Sequence, residues 1–278
     1  MTEPNRQSGE NEERIIEIEI ERLRPFKEHL FQVKDDKEMF LLQESIEKYS
    51  ILNPLIVRPV PDGYYEIISG HRRKHAAEKL GYRKVPVIIR VLSEDDSILS
   101  MVDSNLHRER ISYSEKAFAY KLKNDVLKRK SGRKKSQVDH KKPRKRSIDI
   151  ISENCGDSPK QVQRYISLTK LIPEMLQKLD DEIISFCPAV EIAALKENEQ
   201  RELLKAMDYA QAIPSLSQAQ RIKQLSKEKQ LSLEKMEEIM ELCPDISKVT
   251  VERILTNLVK SGYIAKVGAG LSTGYVRI

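Results

Sequence analysis

The sequence has no tryptophan and is poor in aromatic residues, cysteine and long apolar runs. Of its 278 residues, 5% are aromatic and 39% hydrophobic, which is lean for one large core and favours two or three small domains. Cys155, Cys187 and Cys243 are far apart without metal-ligand spacing, which favours reduced thiols. No run approaches the roughly 18 apolar residues of a membrane helix, and the polar first residues lack a signal peptide's core. We therefore expect a cytoplasmic protein without membrane contact.

Positive charge is concentrated in one segment. The chain carries a net charge of +6, yet residues 128–146 alone hold eleven Lys/Arg and one Asp, so the remainder is mildly acidic. Such a basic segment indicates a polyanionic partner. Two interpretations are open: a solvated tether, or salt-dependent contact with nucleic-acid phosphates. The candidates for phosphate contact are Lys134, Lys135, Arg144, Lys145 and Arg146.

Apolar periodicity predicts a multidomain α+β protein. Strands are predicted near residues 16–20, 55–58, 64–68 and 85–91, and helices over 39–49, 71–80 and 112–128. From Ser147 the pattern is helical for about eighty residues, and two further helices with a hairpin are typical of a winged helix. The predicted segments are a disordered tail (1–14), an α/β nucleotide-binding domain (15–127), a basic linker (128–146), a helix-turn-helix domain (147–230) and a winged-helix-like domain (231–278).

A predicted strand leads directly into the turn Ser69-Gly70-His71-Arg72-Arg73, which opens a helix. A glycine there lets a phosphate approach the backbone, and the free N–H groups of a helix start favour an anion. Two arginines add charge-assisted donors. Taken alone, the turn also fits arginines that pair with surface carboxylates.

Residues 147–166 predict a helix-turn-helix. Gly156 sits at the turn, Ser158 is a natural N-cap and Pro159 suits the first helical position. Side chains left exposed on the second helix can contact base edges in the major groove. The DNA-binding candidates are Ser158, Lys160, Gln161, Gln163 and Arg164. Asp157 stands where such turns usually carry an apolar residue, so either the turn is looser or Asp157 caps the second helix. An ordinary helical hairpin is the competing interpretation.

Over residues 15 to about 225 the chain resembles the ParB family of chromosome and plasmid partition proteins. The likeness is carried by five segments in the family's order: residues 51–58, Tyr65–Arg73 with the helix after it, Val85–Val87, the box Ser104–Glu109, and the helix-turn-helix with Leu171–Glu174. No single segment is specific, but the combination in this order is.

The resemblance implies a homodimer that recognises a palindromic, centromere-like site on double-stranded DNA and is closed into a clamp by CTP. It implies that Gly70, His71, Arg72 and Arg73 cradle the triphosphate, and that Asn105 and Arg108 complete the pocket and its Mg²⁺ site. Ser104, His107 and Glu109 are further nucleotide-binding candidates, and Asn105 is the metal-ligand candidate. A ParA-type ATPase partner and a nucleoid- or plasmid-associated location are also implied.

Three departures from the family pattern stand out. Ser104 replaces a glutamate tied to hydrolysis, His107 replaces a glutamine, and an early Gln-Pro-Arg signature is missing. CTP binding with only weak CTPase activity is therefore the expectation. At the C-terminus, residues 250–264 look like the recognition helix and first wing strand of a winged helix, which would be either a second DNA reader or a dimerisation module.

Three hypotheses result. The first is a CTP-switched DNA partition protein of a plasmid or mobile element, which the atypical C-terminus favours. The second is a helix-turn-helix transcriptional regulator with a nucleotide-insensitive ParB-like domain, which Ser104 and His107 favour. The third is an enzyme on the same N-terminal fold, which the absence of a nucleophile–base pair in the sequence disfavours.

Overall fold

The computed structural model describes residues 14–27, 31, 33, 35–106, 111–133, 145–241, 255–267 and 274–277. The chain forms two compact units that divide between Ile166 and Ser167. The first unit is a mixed α/β structure that ends in helices, and the second is helical with a terminal hairpin, which makes the chain α+β. The boundaries of the five predicted segments stay a prediction.

The first unit is built on a five-stranded mixed sheet. Its strands are β1 (Ile15–Glu19), β2 (Leu23–Pro25), β3 (Leu55–Pro59), β4 (Tyr65–Ser69) and β5 (Lys84–Ile89). Their order is β1-β5-β3-β4-β2, with β3 parallel to β5 and antiparallel to β4. Four of the strands confirm the sequence prediction. The missed strand, β2, is three residues long and includes a proline, so it carries no alternating pattern.

Helices cover both faces of this sheet. They are α1 (Lys37–Tyr49), α2 (His71–Lys79), α3 (Glu94–Leu106) and α4 (Tyr113–Arg133). Successive strand residues face opposite ways, so Ile67 packs in one core with α1 and α2, while Ile68 packs in a second core with α3 and α4. Burial on both faces explains why β4 carries two adjacent isoleucines instead of alternating apolar and polar residues.

Helix α4 is longer than the sequence predicted. Its start is confirmed, because Ser112 Oγ accepts from the Glu115 N–H at 3.2 Å and Glu115 reaches back to the Ser112 N–H. The helix ends at Arg133 rather than near Lys128. Arg129 and Lys130 pair with Asp95 and Asp96 at the start of α3. These ion pairs hold the beginning of the basic segment in a helix.

The predicted helix-turn-helix corresponds to α5 (Ser147–Cys155) and α6 (Pro159–Leu168), and the DNA-reading candidates lie on α6 or, for Ser158, directly before it. The remaining helices are α7 (Pro173–Asp180), α8 (Phe186–Ile192), α9 (Glu197–Ala210), α10 (Leu216–Lys227) and α11 (Leu233–Glu241), and residues 255–260 are also helical. Strands β6 (Ile264–Val267) and β7 (Gly274–Arg277) form the predicted antiparallel hairpin. Residues 242–254 and 268–273 lie outside the described part, so the winged helix stays a prediction.

Every helix in the described part of the chain is too short or too polar to cross a bilayer.

Candidate functional site

Gly70 makes the strand-to-helix turn that the sequence singled out. It lies in the left-handed region, with φ of +109°, directly before α2. A Cβ added there would approach Leu55 Cγ to 2.8 Å, so the position requires glycine for space as well as for backbone conformation. Within the described structure, no side chain caps the start of α2. The turn therefore presents backbone N–H groups at a helix start, where an anion is stabilised.

Arg72 is paired with a carboxylate from the start of α1. Its guanidinium donates to Asp36 Oδ1 at 2.9 Å and to Oδ2 at 3.2 Å, the bidentate geometry that makes such pairs strong. Asp36 also caps α1 by accepting from the Met39 N–H at 2.8 Å. The hydrogen bonds from Arg72, followed by the one from Met39, hold the pKa of Asp36 below its ordinary value. Asp35 beside it pairs with Lys79 and His75 of α2.

Arg73 is used to hold the loop before β3. Its Nη1 donates to the carbonyl oxygen of Pro54 at 2.8 Å and to that of Asn53. Burial lowers the pKa of Arg73 from its ordinary value. His71, the first residue of α2, is buried. The structure thus brings Gly70, His71, Arg72 and Arg73 together at one turn, with both guanidinium groups engaged by protein atoms.

The box Ser104–Glu109 begins at the C-terminal end of α3. Asn105 is 2% exposed, and its Nδ2 donates to the Met101 carbonyl at 2.8 Å. Ser104 Oγ donates to the same carbonyl at 2.9 Å. His107, Arg108 and Glu109 lie outside the described residues, so the predicted contacts of those three stay predictions.

The start of α3 lies near the start of β4. Ser97, near the beginning of α3, accepts a hydrogen bond from Arg58, which also pairs with Glu66 at the beginning of β4. Helix α3 and strand β4 also pack in one core.

Helices α5 and α6 show the features expected of a helix-turn-helix. Helix α5 ends at Gly156, whose φ is +75°, and the Gln161 N–H donates to Ser158 Oγ at 3.2 Å, which confirms Ser158 as the cap. Val162 and Tyr165 are buried. On the outer side of α6, Lys160 and Gln163 are exposed, whereas Gln161 and Arg164 are half-buried.

The predicted phosphate-contacting residues are only partly described. Lys145 pairs with Glu153 at 2.6 Å, and Arg146 pairs with Asp149 at 3.0 Å, in both cases at the surface. Exposed pairs of this kind are weak and exchange readily for other partners. Lys134, Lys135 and Arg144 lie outside the described residues.

Asp157 makes contacts that neither interpretation of the sequence anticipated. Its Oδ2 accepts from Tyr120 Oη at 2.6 Å and pairs with Lys116 Nζ at 2.8 Å. Both partners belong to α4. Burial opposes ionisation of Asp157, but the hydrogen bonds from Lys116 and Tyr120 outweigh it and hold the pKa of Asp157 below its ordinary value. The turn is therefore tied by a carboxylate to α4.

One face of α4 has a role that the sequence did not reveal. At intervals of one helical turn, Lys116, Tyr120 and Asn124 each bind the helix-turn-helix, the last through Ser147 Oγ at 2.6 Å. One residue before Asn124, the buried Lys123 pairs with Asp103 of α3. The signal was present as polar residues spaced by four within a helix that carries buried alanines. It could not identify partners that lie more than twenty residues away.

The N-terminal part of the chain matches a known domain model. The family model of the ParB N-terminal domain matches residues 4–106. A nucleoid occlusion protein of Lysinibacillus sphaericus is 25% identical over 266 residues, which cover 91% of this chain and 82% of the relative. A nucleoid occlusion protein of Bacillus mycoides is 35% identical over 136 residues, which cover 46% of this chain and 47% of the relative. That second match spans about half the length of the relative.

Two solved structures of a C-terminally truncated chromosome-partitioning protein ParB from Caulobacter crescentus are also similar. The complex with the centromeric parS site covers 81% of this chain and 98% of the other, with 23% identity and a TM-score of 0.45. The complex with CTP-gamma-S covers 70% and 98%, with 26% identity and a TM-score of 0.32. Both TM-scores are below 0.5, too low for the likeness to carry weight of its own.

Proposed function

We propose that this chain, whose residues 4–106 match the ParB N-terminal domain model, is a DNA-binding partition or nucleoid occlusion protein. Its helix α6 enters the major groove of a specific, palindromic site, and a homodimer places one α6 in each half-site. CTP bound at the Gly70 turn switches the protein into a clamp around the duplex. A nucleoid- or plasmid-associated location and a ParA-type ATPase partner belong to the same proposal.

The observation that carries the DNA-binding function is the arrangement of α5, Gly156 and α6. The cap at Ser158 starts α6, and Lys160 and Gln163 are exposed in the N-terminal half of that helix. A glutamine there suits an adenine edge, whereas a lysine supplies phosphate contact. Lys145 and Arg146, which directly precede α5, are exposed basic residues that add positive charge next to this helix.

Support for nucleotide binding comes from the Gly70 turn. The turn combines a glycine-only position, an uncapped helix start within the described structure, and two arginines within three residues. These features fit a triphosphate, because backbone N–H groups and guanidinium groups are the donors phosphates prefer. Mg²⁺ commonly binds through substrate phosphates and one or two side chains, and Asn105 is the candidate ligand.

The test of DNA binding begins with selection of a duplex from a randomised pool by the wild-type chain. Affinity for the selected duplex and for a scrambled one is then measured for the wild type, Gln163→Ala and Gln220→Ala. Gln220 is an exposed glutamine on α10 and serves as the matched control. Gln163→Ala is expected to weaken binding of the selected duplex about tenfold, the loss of roughly one bidentate base contact, without changing scrambled binding. Equal binding by Gln163→Ala would mean that α6 does not read the site.

A second candidate function is a transcriptional regulator whose N-terminal domain does not respond to nucleotide. The observation that favours it is the engagement of Arg72 by Asp36 and of Arg73 by two backbone carbonyls. The two functions can be distinguished by whether the protein is retained on a selected duplex whose two ends are blocked. A closed clamp stays on such DNA after CTP and a high-salt wash, because a ring is not released by screening of phosphate contacts. A regulator is washed off with or without CTP.

A further inference from the structure

The turn of the helix-turn-helix carries a negative charge that the structure neutralises from α4. Asp157 lies between Gly156 and the cap Ser158, two residues before the first residue of the helix proposed to enter DNA. A carboxylate at this place repels a phosphate backbone. Tyr120 and Lys116 both bind its Oδ2, at 2.6 and 2.8 Å. The charge is thus offset by a fixed partner in the protein.

The same partners also contact α6 directly. Lys116 Nζ lies 4.7 Å from the ring centroid of Tyr165, within the range of a cation–π contact. Tyr120 meets the Tyr165 ring edge-on, with centroids 5.7 Å apart and planes at 83°. Tyr120 is fully buried and Tyr165 nearly so. Lys116 and Tyr120 therefore hold both the turn before α6 and a residue inside α6.

We propose that Asp157, Lys116 and Tyr120 are positioning residues for DNA recognition, which set the orientation of α6 on α4 and thereby the selectivity for one DNA site. This inference rests on the proposed DNA-binding function. It assigns to Lys116 a role inside the protein, because its ammonium group is committed to Asp157 and the Tyr165 ring. It assigns to Asp157 a favourable effect on DNA binding, although its charge opposes the ligand.

Polar contacts suit this role because they are directional. A charge-assisted hydrogen bond keeps its strength only near one geometry, and a partly buried network fixes an orientation more narrowly than apolar packing does. A second polar contact holds the other end of α5, where Ser147 Oγ donates to Asn124 Oδ1 at 2.6 Å. Helix α4 therefore fixes the helix-turn-helix at the start of α5 and at the turn.

Simple electrostatics and positioning predict opposite results for Asp157→Asn. Removal of a negative charge beside DNA raises affinity for any duplex by electrostatics alone. Positioning predicts that affinity for the selected duplex falls about tenfold, the loss of roughly one base contact, while scrambled binding is unchanged or slightly stronger. Asp125→Asn is the matched control, since it removes the same charge from an exposed position on α4.

The variant Tyr120→Phe tests the positioning role without any change in the charge of the protein. It removes one hydroxyl and leaves the net charge and the ring contact with Tyr165 intact. Positioning predicts a fivefold to tenfold loss for the selected duplex, in proportion to one charge-assisted hydrogen bond. The double variant with Asp157→Asn should lose less than the product of the two single effects, because both changes break the same contact.

The experiment measures binding of the selected and scrambled duplexes by wild type, Asp157→Asn, Tyr120→Phe, the double variant and Asp125→Asn, with thermal unfolding to confirm folding. If Asp157→Asn does not fold, Tyr120→Phe carries the test. Loss of selected-duplex affinity with unchanged scrambled binding is the expected result. Unchanged or raised affinity in both single variants overturns the positioning role while DNA recognition stands. If the wild type selects no sequence, the DNA-binding function and this inference both fail.

Discussion

Arg72 holds Asp36 through both carboxylate oxygens, so a guanidinium proposed to bind phosphate is already bound to the residue that caps α1. A triphosphate that uses Arg72 has to compete with this carboxylate, and Glu38 lies 3.7 Å from the same guanidinium. The pair also ties the start of α1 to the start of α2. Local order at the Gly70 turn therefore depends on an acidic residue more than thirty positions earlier.

Asp36→Asn should strengthen nucleotide binding. Asparagine caps a helix as well as aspartate does, so α1 is kept while the competing charge is removed. We expect CTP affinity to rise about threefold to tenfold, as one partly exposed ion pair no longer has to be broken. Titration calorimetry checks this, with Asp62→Asn as an exposed control that leaves Arg72 untouched. Weaker binding by Asp36→Asn would show that Asp36 supports the pocket.

Gly70→Ala should be far more harmful than Gly81→Ala. Both glycines have positive φ, but a Cβ meets Leu55 Cγ at 2.8 Å only at Gly70, and meets nothing within 4 Å at Gly81. We expect a loss of about 1 kcal/mol in unfolding free energy for Gly81→Ala and about 2–4 kcal/mol for Gly70→Ala. Denaturant unfolding of the two variants provides the comparison. Equal losses would contradict the close approach of Leu55.

Asp157 should make the first unit sensitive to acid. Its unfolded pKa is near 3.8 and its folded pKa is lower, so as the pH falls the unfolded chain takes up the proton first, which favours unfolding. The stabilisation is complete above about pH 4 to 5 and is lost as the pH falls through the folded pKa. The stability difference between wild type and Asp157→Asn should therefore shrink from pH 7 to pH 3. A difference independent of pH would show that the charge of Asp157 contributes nothing.

Removal of residues 134–144 should weaken binding to every duplex alike. This segment holds five Lys/Arg and one Asp, and its removal leaves the ion pairs of Arg129 and Lys130 in place. If its side chains contact phosphates, affinity falls for selected and scrambled duplexes alike, and the salt slope decreases by about 0.9 for each lost contact. Binding measured from 50 to 300 mM salt tests this. An unchanged slope would leave the segment as a solvated tether.

Local signals in the sequence predicted the elements that form the two sites. Glycine at the end of an apolar run located the Gly70 turn, and the order Gly156, Ser158, Pro159 located the start of α6, whose cap the structure confirms. Helix α3 was missed, although Ser93 accepts from the Asp96 N–H as a helix cap does. Only the box at its C-terminal end had been recognised, since that box belonged to a family pattern.

Partners distant in sequence could not be predicted. The sequence left open that the arginines at the turn pair with carboxylates, and Arg72 does so, but nothing local marks Asp36 as its partner. In the sequence, Asp157 stood where an apolar residue is usual, and nothing local explained it. Its two hydrogen-bond donors lie about forty residues earlier, on α4. Such pairings follow from the packing of helices, which local periodicity does not determine.

The most direct test of the account is a calorimetric titration of CTP with Mg²⁺ into the wild type and Arg72→Ala, with ATP as the control nucleotide. Thermal unfolding shows whether the variant is folded. We predict binding of CTP in preference to ATP by the wild type, and its loss in folded Arg72→Ala, because the triphosphate then lacks a charge-assisted donor at the Gly70 turn. Absence of CTP binding by the wild type, with the selected duplex present as well as without it, would contradict the nucleotide switch.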